Sequence, residues 1–118
     1  MMLETPFGPV HFTMDEQLRY PDRFFAWIVH NWDFYKLFVA TARDMRAWGR
    51  EHSSAKFICE GIRWETEQRQ RKESTFKVNN NYTAGLARLA MRQFPVELKG
   101  FFECRSRDGL DERQEKAA

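Results

Sequence analysis

Asn79, Asn80 and Asn81, followed by Thr83, Arg88 and Arg92, are the residues whose types and spacing point to recognition chemistry. A side-chain amide both donates and accepts, so it pairs with an adenine edge when its helix enters a major groove, or with a partner's backbone. Arginine presents a planar fork of donors that matches phosphate or carboxylate. Asn81, Gly85, Arg88 and Arg92 follow an i, i+4, i+7, i+11 series, which at ~100° per residue places them within ~60° of one another on a helix. Gly85 in that series leaves room for another backbone or a phosphate. Lys77 and Arg105, with Lys72 and Arg107, would flank the site. Each feature also has a structural reading. Asparagine caps helices and tolerates left-handed angles, and arginines are commonly solvated surface groups. Asn81-Tyr82-Thr83 matches a glycosylation sequon, discounted for lack of a secretory signal.

Catalytic groupings are not evident. Glu60, Glu65 and Glu67 lack ligands from other segments that a metal-dependent nuclease needs. Arg63 and Glu67 stand at i, i+4, an ordinary helical ion pair. His11, His30 and His52 are scattered singly, so no metal and no cofactor are expected. There is no Gly-rich phosphate loop and no nucleophile–base motif. Cys59 and Cys104 are unclustered and read as reduced, with one of them buried. The expected function is non-enzymatic.

Charge narrows the partner. Residues 1–40 carry three Lys/Arg against five Asp/Glu, residues 41–107 fourteen against eight, and residues 108–118 two against four. Positive charge is thus concentrated on the segment that holds the Asn/Arg series, which suits an anionic partner. The acidic ends supply the opposite possibility, contact between Asp15, Glu16, Asp22 or the tail and a basic protein surface, with Phe7 and Phe12 as anchors. No apolar run approaches the ~20 residues of a membrane span. The first residues lack a basic start followed by an apolar block, so the cytoplasm is the expected compartment.

The elements that position these residues follow from periodicity. With 42% hydrophobic and 15% aromatic residues, 118 residues suffice for one core of few, large side chains. Residues 1–21 read as an extended arm, 22–107 as a single domain and 108–118 as a flexible acidic tail. Within the arm, Asp15 to Leu18 reads as a helical turn interrupted by Tyr20-Pro21. Asp22 reads as the cap of Arg23 to His30, whose apolar run Phe24–Val29 is expected in the core. Asn31 would cap a helix from Trp32 to Trp48 with the stripe Tyr35, Phe38, Val39, Ala42 and Met45, closed by Gly49. Ser53 or Ser54 would cap the next, Ala55 to Gln70, with Phe57, Ile58, Gly61, Ile62 and Glu65 on one stripe and Trp64 beside it; Gly61 would mark close helix approach. A last helix, capped by Asn79 or Asn80 and ended by Pro95, would bury Tyr82, Leu86, Leu89 and Ala90. Runs Phe76–Val78 and Phe101–Arg105 would pair as a small ribbon. The fold class is therefore mainly α with a small β-ribbon (α+β), helix-turn-helix or winged-helix-like.

Asn31 to Arg105 resembles a group of small, mostly uncharacterised proteins encoded in bacteriophages and prophages. The residues that carry the likeness are Ile62-Arg63-Trp64-Glu65, Lys77-Val78-Asn79-Asn80-Asn81, Ala87-Arg88, Met91, Pro95 and Gly100-Phe101-Phe102-Glu103-Cys104-Arg105. The resemblance implies a phage setting in a bacterial host rather than a mechanism. Two functions follow as expectations. The first is an accessory protein that binds nucleic acid through Asn79, Asn80, Asn81, Thr83, Arg88 and Arg92, with Lys77 and Arg105 in support. The second is a phage inhibitor of a host defence system, anti-CRISPR-like, that binds a host protein or ribonucleoprotein complex.

Overall fold

The computed structural model describes residues 1–70, 78 and 80–102. Strands β1 (Met2–Thr5) and β2 (Gly8–His11) pair antiparallel, with Leu3 opposite Val10. The turn between them is held by Thr5, whose hydroxyl donates to the Gly8 carbonyl at 2.7 Å and accepts the Phe7 N–H at 3.1 Å. Helix α1 (Met14–Leu18) opens on a capping box in which Thr13 and Glu16 satisfy each other's backbone amides at 3.1 Å. Then come α2 (Phe24–Ile28), α3 (Trp32–Ala47), α4 (Ala55–Gln70) and α5 (Asn80–Gln93). The described residues thus form an α+β arrangement of five helices and one two-stranded sheet.

Local signals govern the helix ends. Ser54 Oγ accepts the Phe57 N–H at 3.0 Å, the N-cap expected for α4. At the end of α3, Gly49 has φ 95°, Gly49 N–H bonds the Arg46 carbonyl and Arg50 N–H bonds the Met45 carbonyl, both at 3.0 Å. That pair of reversed bonds is the Schellman closure that a left-handed glycine permits. Asn31 precedes α3 as expected, but its amide turns back and donates to the Trp27 carbonyl at 2.7 Å instead of capping. Asp22 does not cap α2. The N-cap position is Arg23, in a left-handed conformation with φ 67°.

Helices α3, α4 and α5 pack pairwise into the core. The α3 stripe is buried as its period requires: Tyr35, Phe38, Val39, Ala42 and Met45. From α5 come Leu86, Leu89 and Ala90, each fully buried, with Tyr82 and Phe94 packed at the margin. Each large apolar side chain so buried contributes roughly 1.5–3 kcal/mol relative to exposure. For α4 the expectation is half right. Ile58, Cys59 and Ile62 face inward, whereas Phe57, Gly61, Trp64 and Glu65 are exposed. Gly61 marks no close approach, because a Cβ there would meet nothing within 4 Å. Val29, expected in the core, is also exposed.

The N-terminal arm belongs to the core. Leu3, Val10, Phe12 and Tyr20 are all buried, and Phe12 meets Tyr20 edge-on at 5.4 Å. The two-stranded sheet among the described residues is formed here, and of the ribbon expected between 76–78 and 101–105 only Val78, Phe101 and Phe102 are described. Val78 lies in no strand, Phe101 sits in a turn, and Phe102 makes an isolated parallel bridge to Ser53. The reason is burial of that aromatic run. Leu98 and Phe101 are fully enclosed, and Phe102 stacks on Phe38 with centroids 5.3 Å apart. The remaining residues of that expected ribbon lie outside the described residues.

Candidate binding surfaces

The Asn/Arg series does share one side of α5, but the middle of that side, at Gly85 and Arg88, is buried while Asn81 and Arg92 are exposed. The chain from Glu16 to Phe24 lies across it. Gly85 is buried under the Phe24 ring, and a Cβ added there would lie 2.6 Å from Phe24 Cε1 and 2.9 Å from Phe24 Cγ. The space that Gly85 offers is therefore taken by a side chain of the same molecule. Phe24 in turn stacks on Tyr20 at 5.5 Å, and Tyr82 stacks on Trp27 at 5.0 Å, so an aromatic layer covers the helix around Gly85.

The arginines lie further along. Arg88 retains 9% of its accessible surface and is engaged within the protein. Arg92 Nε donates to Glu16 Oε2 at 2.8 Å, and Arg92 Nη2 donates to the His11 carbonyl at 3.1 Å. These bonds fasten α1 and β2 to α5. The Thr13 amide and then Arg92 hold the Glu16 carboxyl below its usual pKa. Between α1 and α5 remains a cleft of about 240 Å³ lined by Glu16, Arg19, Tyr20, Arg88, Met91 and Arg92. Asn81 is exposed and Thr83 half-buried on the same helix, both engaged in contacts. Asn80 opens the helix; Lys77, Asn79 and Arg105 lie outside the described residues.

Glu16 is a partner of Arg92 that the sequence does not announce. The capping-box spacing Thr13-x-x-Glu16 was visible in the sequence, but nothing local says that the second Glu16 oxygen reaches Arg92, 76 positions away.

A second concavity lies elsewhere. Residues at the α2–α3 junction and the C-terminal half of α4 enclose a groove of about 450 Å³. Its apolar lining is Val29, Trp32, Phe34, Leu37 and Ile62, and its polar rim is His30, Asn31, Asp33, Arg63 and Thr66. Leu37 is 52% exposed and Val29 44%, while Trp32 and Phe34 are half-buried walls. The rim is held by short-range contacts: Arg63 Nε stands 3.4 Å from Glu67 Oε1, and Thr66 donates to the Ile62 carbonyl at 2.9 Å. Leu37 carried a signal in the sequence, since it is a large apolar residue off the α3 core stripe. Phe57 and Trp64 add exposed aromatic surface on another face of α4. Of the anchors expected in the arm, Phe12 is core, whereas Phe7 is exposed although it packs edge-on against Tyr35 and Phe94 at 5.8 and 5.3 Å.

Chemistry at individual groups is muted. Burial, and to a lesser degree Glu60, pushes the Cys59 thiol up to about 12, so it stays protonated and unreactive at neutral pH. Among the described residues no three His, Cys, Asp or Glu side chains converge as a metal-binding group. No helix there is long and apolar enough to cross a membrane.

No protein-family model, no curated protein and no solved structure matches this chain.

Proposed function

We propose that this is a non-enzymatic binding protein that docks a protein partner in the groove between the α2–α3 junction and α4. One observation carries the reading: Val29 and Leu37 are exposed beside half-buried Trp32 and Phe34, around a concavity of about 450 Å³. Apolar surface gathered in a concave, polar-rimmed site is what a partner's side chains or amphipathic helix fills. Asp33 and Arg63 on the rim supply charges that fix register more than affinity. The resemblance to phage-encoded proteins makes a host defence complex in the bacterial cytoplasm the proposed partner class, with inhibition by occlusion as the mode of action.

The nucleic-acid reading has narrower support. The order α3–α4–α5 followed by Phe101 and Phe102 suits a winged-helix-like description. However, Phe24 covers the Gly85 side of α5, and a helix reads bases only when that side reaches the groove.

The test uses Leu37→Asp and Val29→Asp, both at exposed positions. Wild-type protein should capture a specific host protein, and binding of that purified protein should weaken at least tenfold in each variant. Hydrogen exchange in the complex should slow at residues 29–37 and 62–66. Full binding by Leu37→Asp, or protection confined to another surface, would reject the groove as the docking site.

A further inference from the structure

The two edges of the β1–β2 sheet differ in what they leave unpaired. The Phe12 N–H donates to the Met1 carbonyl at 2.7 Å and the Met1 nitrogen donates to the Phe12 carbonyl at 3.0 Å, so these residues form a hydrogen-bonded pair. Antiparallel ladders alternate hydrogen-bonded and non-hydrogen-bonded pairs. With Met2 opposite His11, Leu3 opposite Val10 and Glu4 opposite Pro9, the backbone groups of Leu3 and Val10 therefore point into the hairpin. Those of Met2, Glu4, Pro9 and His11 point out of it. The β2 edge is blocked, because Pro9 has no N–H and the His11 carbonyl accepts from Arg92. The β1 edge is open. Met2 and Glu4 are exposed, and their outward N–H and C=O groups have no partner among the described residues.

We propose that β1 is a dimerisation strand, which pairs antiparallel with β1 of a second copy of this chain and joins the two hairpins into one four-stranded sheet. The outward groups fix the register. Setting Met2 against Glu4 of the second copy, and Glu4 against its Met2, satisfies both outward N–H groups and both outward carbonyls of each chain, four hydrogen bonds in all. A slip of one residue sets outward groups against inward ones. A slip of two sets Met2 against Met2 or Glu4 against Glu4, with fewer bonds. The favoured register is its own complement under a two-fold rotation, as a closed isologous pair requires. That self-complementarity singles out a second copy over a foreign strand. At the axis Leu3 meets Leu3 of the second copy in the closer, non-hydrogen-bonded spacing.

Area sets the strength of the pair. Stable interfaces bury about 1,200–2,000 Å² in total, and strands this short supply only part of that. Exposed Met1, Met2 and Phe7 on the hairpin add apolar surface. Glu4 stands diagonal to Glu4 of the second copy, a like-charge contact that opposes pairing. The dimer is accordingly reversible and depends on concentration. No hairpin residue lines the groove between the α2–α3 junction and α4, so the pairing is independent of docking there.

Sedimentation velocity of the full chain over an about hundredfold range of concentration tests this, because dimer forms by mass action. Wild type should pass from monomer to dimer as concentration rises, and hydrogen exchange at the Met2 and Glu4 amides should slow in step. Glu4→Pro removes an outward N–H but no hydrogen bond within the hairpin, a position where edge strands accept proline. It should remain monomeric with an unchanged circular dichroism spectrum. Glu4→Gln keeps the N–H and removes the diagonal repulsion, so it should dimerise about threefold more tightly than wild type. A wild-type chain that stays monomeric throughout, or a dimer that leaves the Met2 and Glu4 amides unprotected, would overturn the assignment whether or not Glu4→Pro folds. Folded Glu4→Pro that dimerises like wild type would do the same, and a Glu4→Gln dimer no tighter than wild type would reject the register.

Discussion

Replacing Gly85 and Gly61 by alanine should move stability in opposite directions, although both are glycines within long helices. Alanine is favoured over glycine in a helix interior by about 0.8–1 kcal/mol. At Gly61 that gain is unopposed, because an added Cβ meets nothing within 4 Å. Gly61→Ala should therefore stabilise by roughly 0.5–1 kcal/mol. At Gly85 the same methyl would lie 2.6 and 2.9 Å from Phe24 ring atoms. The ring has little freedom to withdraw, being fully buried and in contact with Tyr20, Phe25, Trp27 and Tyr82. Overpacking of such a core costs about 1–3 kcal/mol, and the upper part of that range applies here. After the propensity gain is subtracted, Gly85→Ala should destabilise by roughly 1–2 kcal/mol. Urea unfolding followed by tryptophan fluorescence and by far-UV circular dichroism reads the difference, a midpoint lowered by roughly 0.5–1 M for Gly85→Ala. If the Asn81–Arg92 side of α5 faced open solvent, both variants would gain stability together. That result would refute the packing of Phe24 on α5, and with it the argument that this helix face is unavailable to a DNA groove.

Two further outcomes follow from the hydrogen bonds that tie the hairpin to the helices. Tyr35 is fully buried and donates to Gln93 Oε1 at 2.5 Å, and Gln93 Nε2 donates to Thr5 Oγ1 at 2.6 Å. Tyr35→Phe should cost about 1 kcal/mol, measured as a lower denaturation midpoint with unchanged slope; an unshifted midpoint would show that the relay contributes nothing. Glu16 has a folded pKa below its ordinary 4.5, chiefly through the Thr13 amide and Arg92. Its contribution is present above the unfolded pKa and lost as pH falls through the lower folded value. Stability should thus decline below about pH 4.5 more steeply in wild type than in Glu16→Gln, and matching pH profiles would rule out that coupling.

What the sequence determined by itself was local. The spans of α3, α4 and α5 follow from apolar periodicity. The closure at Gly49 and the cap at Ser54 follow from residues next to the ends they satisfy, since helix bonds and caps join positions only a few residues apart. Tertiary structure decided which surfaces those helices share. Two apolar stripes run along α4, and period alone cannot choose between Ile58–Cys59–Ile62 and Phe57–Trp64. Contact with α3 and α5 selects the first and leaves the second exposed. Arg88 and Arg92 were correctly placed on one side of α5, yet that side reads as a free basic face until residues 16–24 are laid across it. Gly61 and Gly85 make the same point most simply. Each lacks a side chain, and only the distant Phe24 ring gives one of them a reason to do so. Long-range packing is set by the simultaneous fit of many side chains, and no short stretch of sequence contains that information.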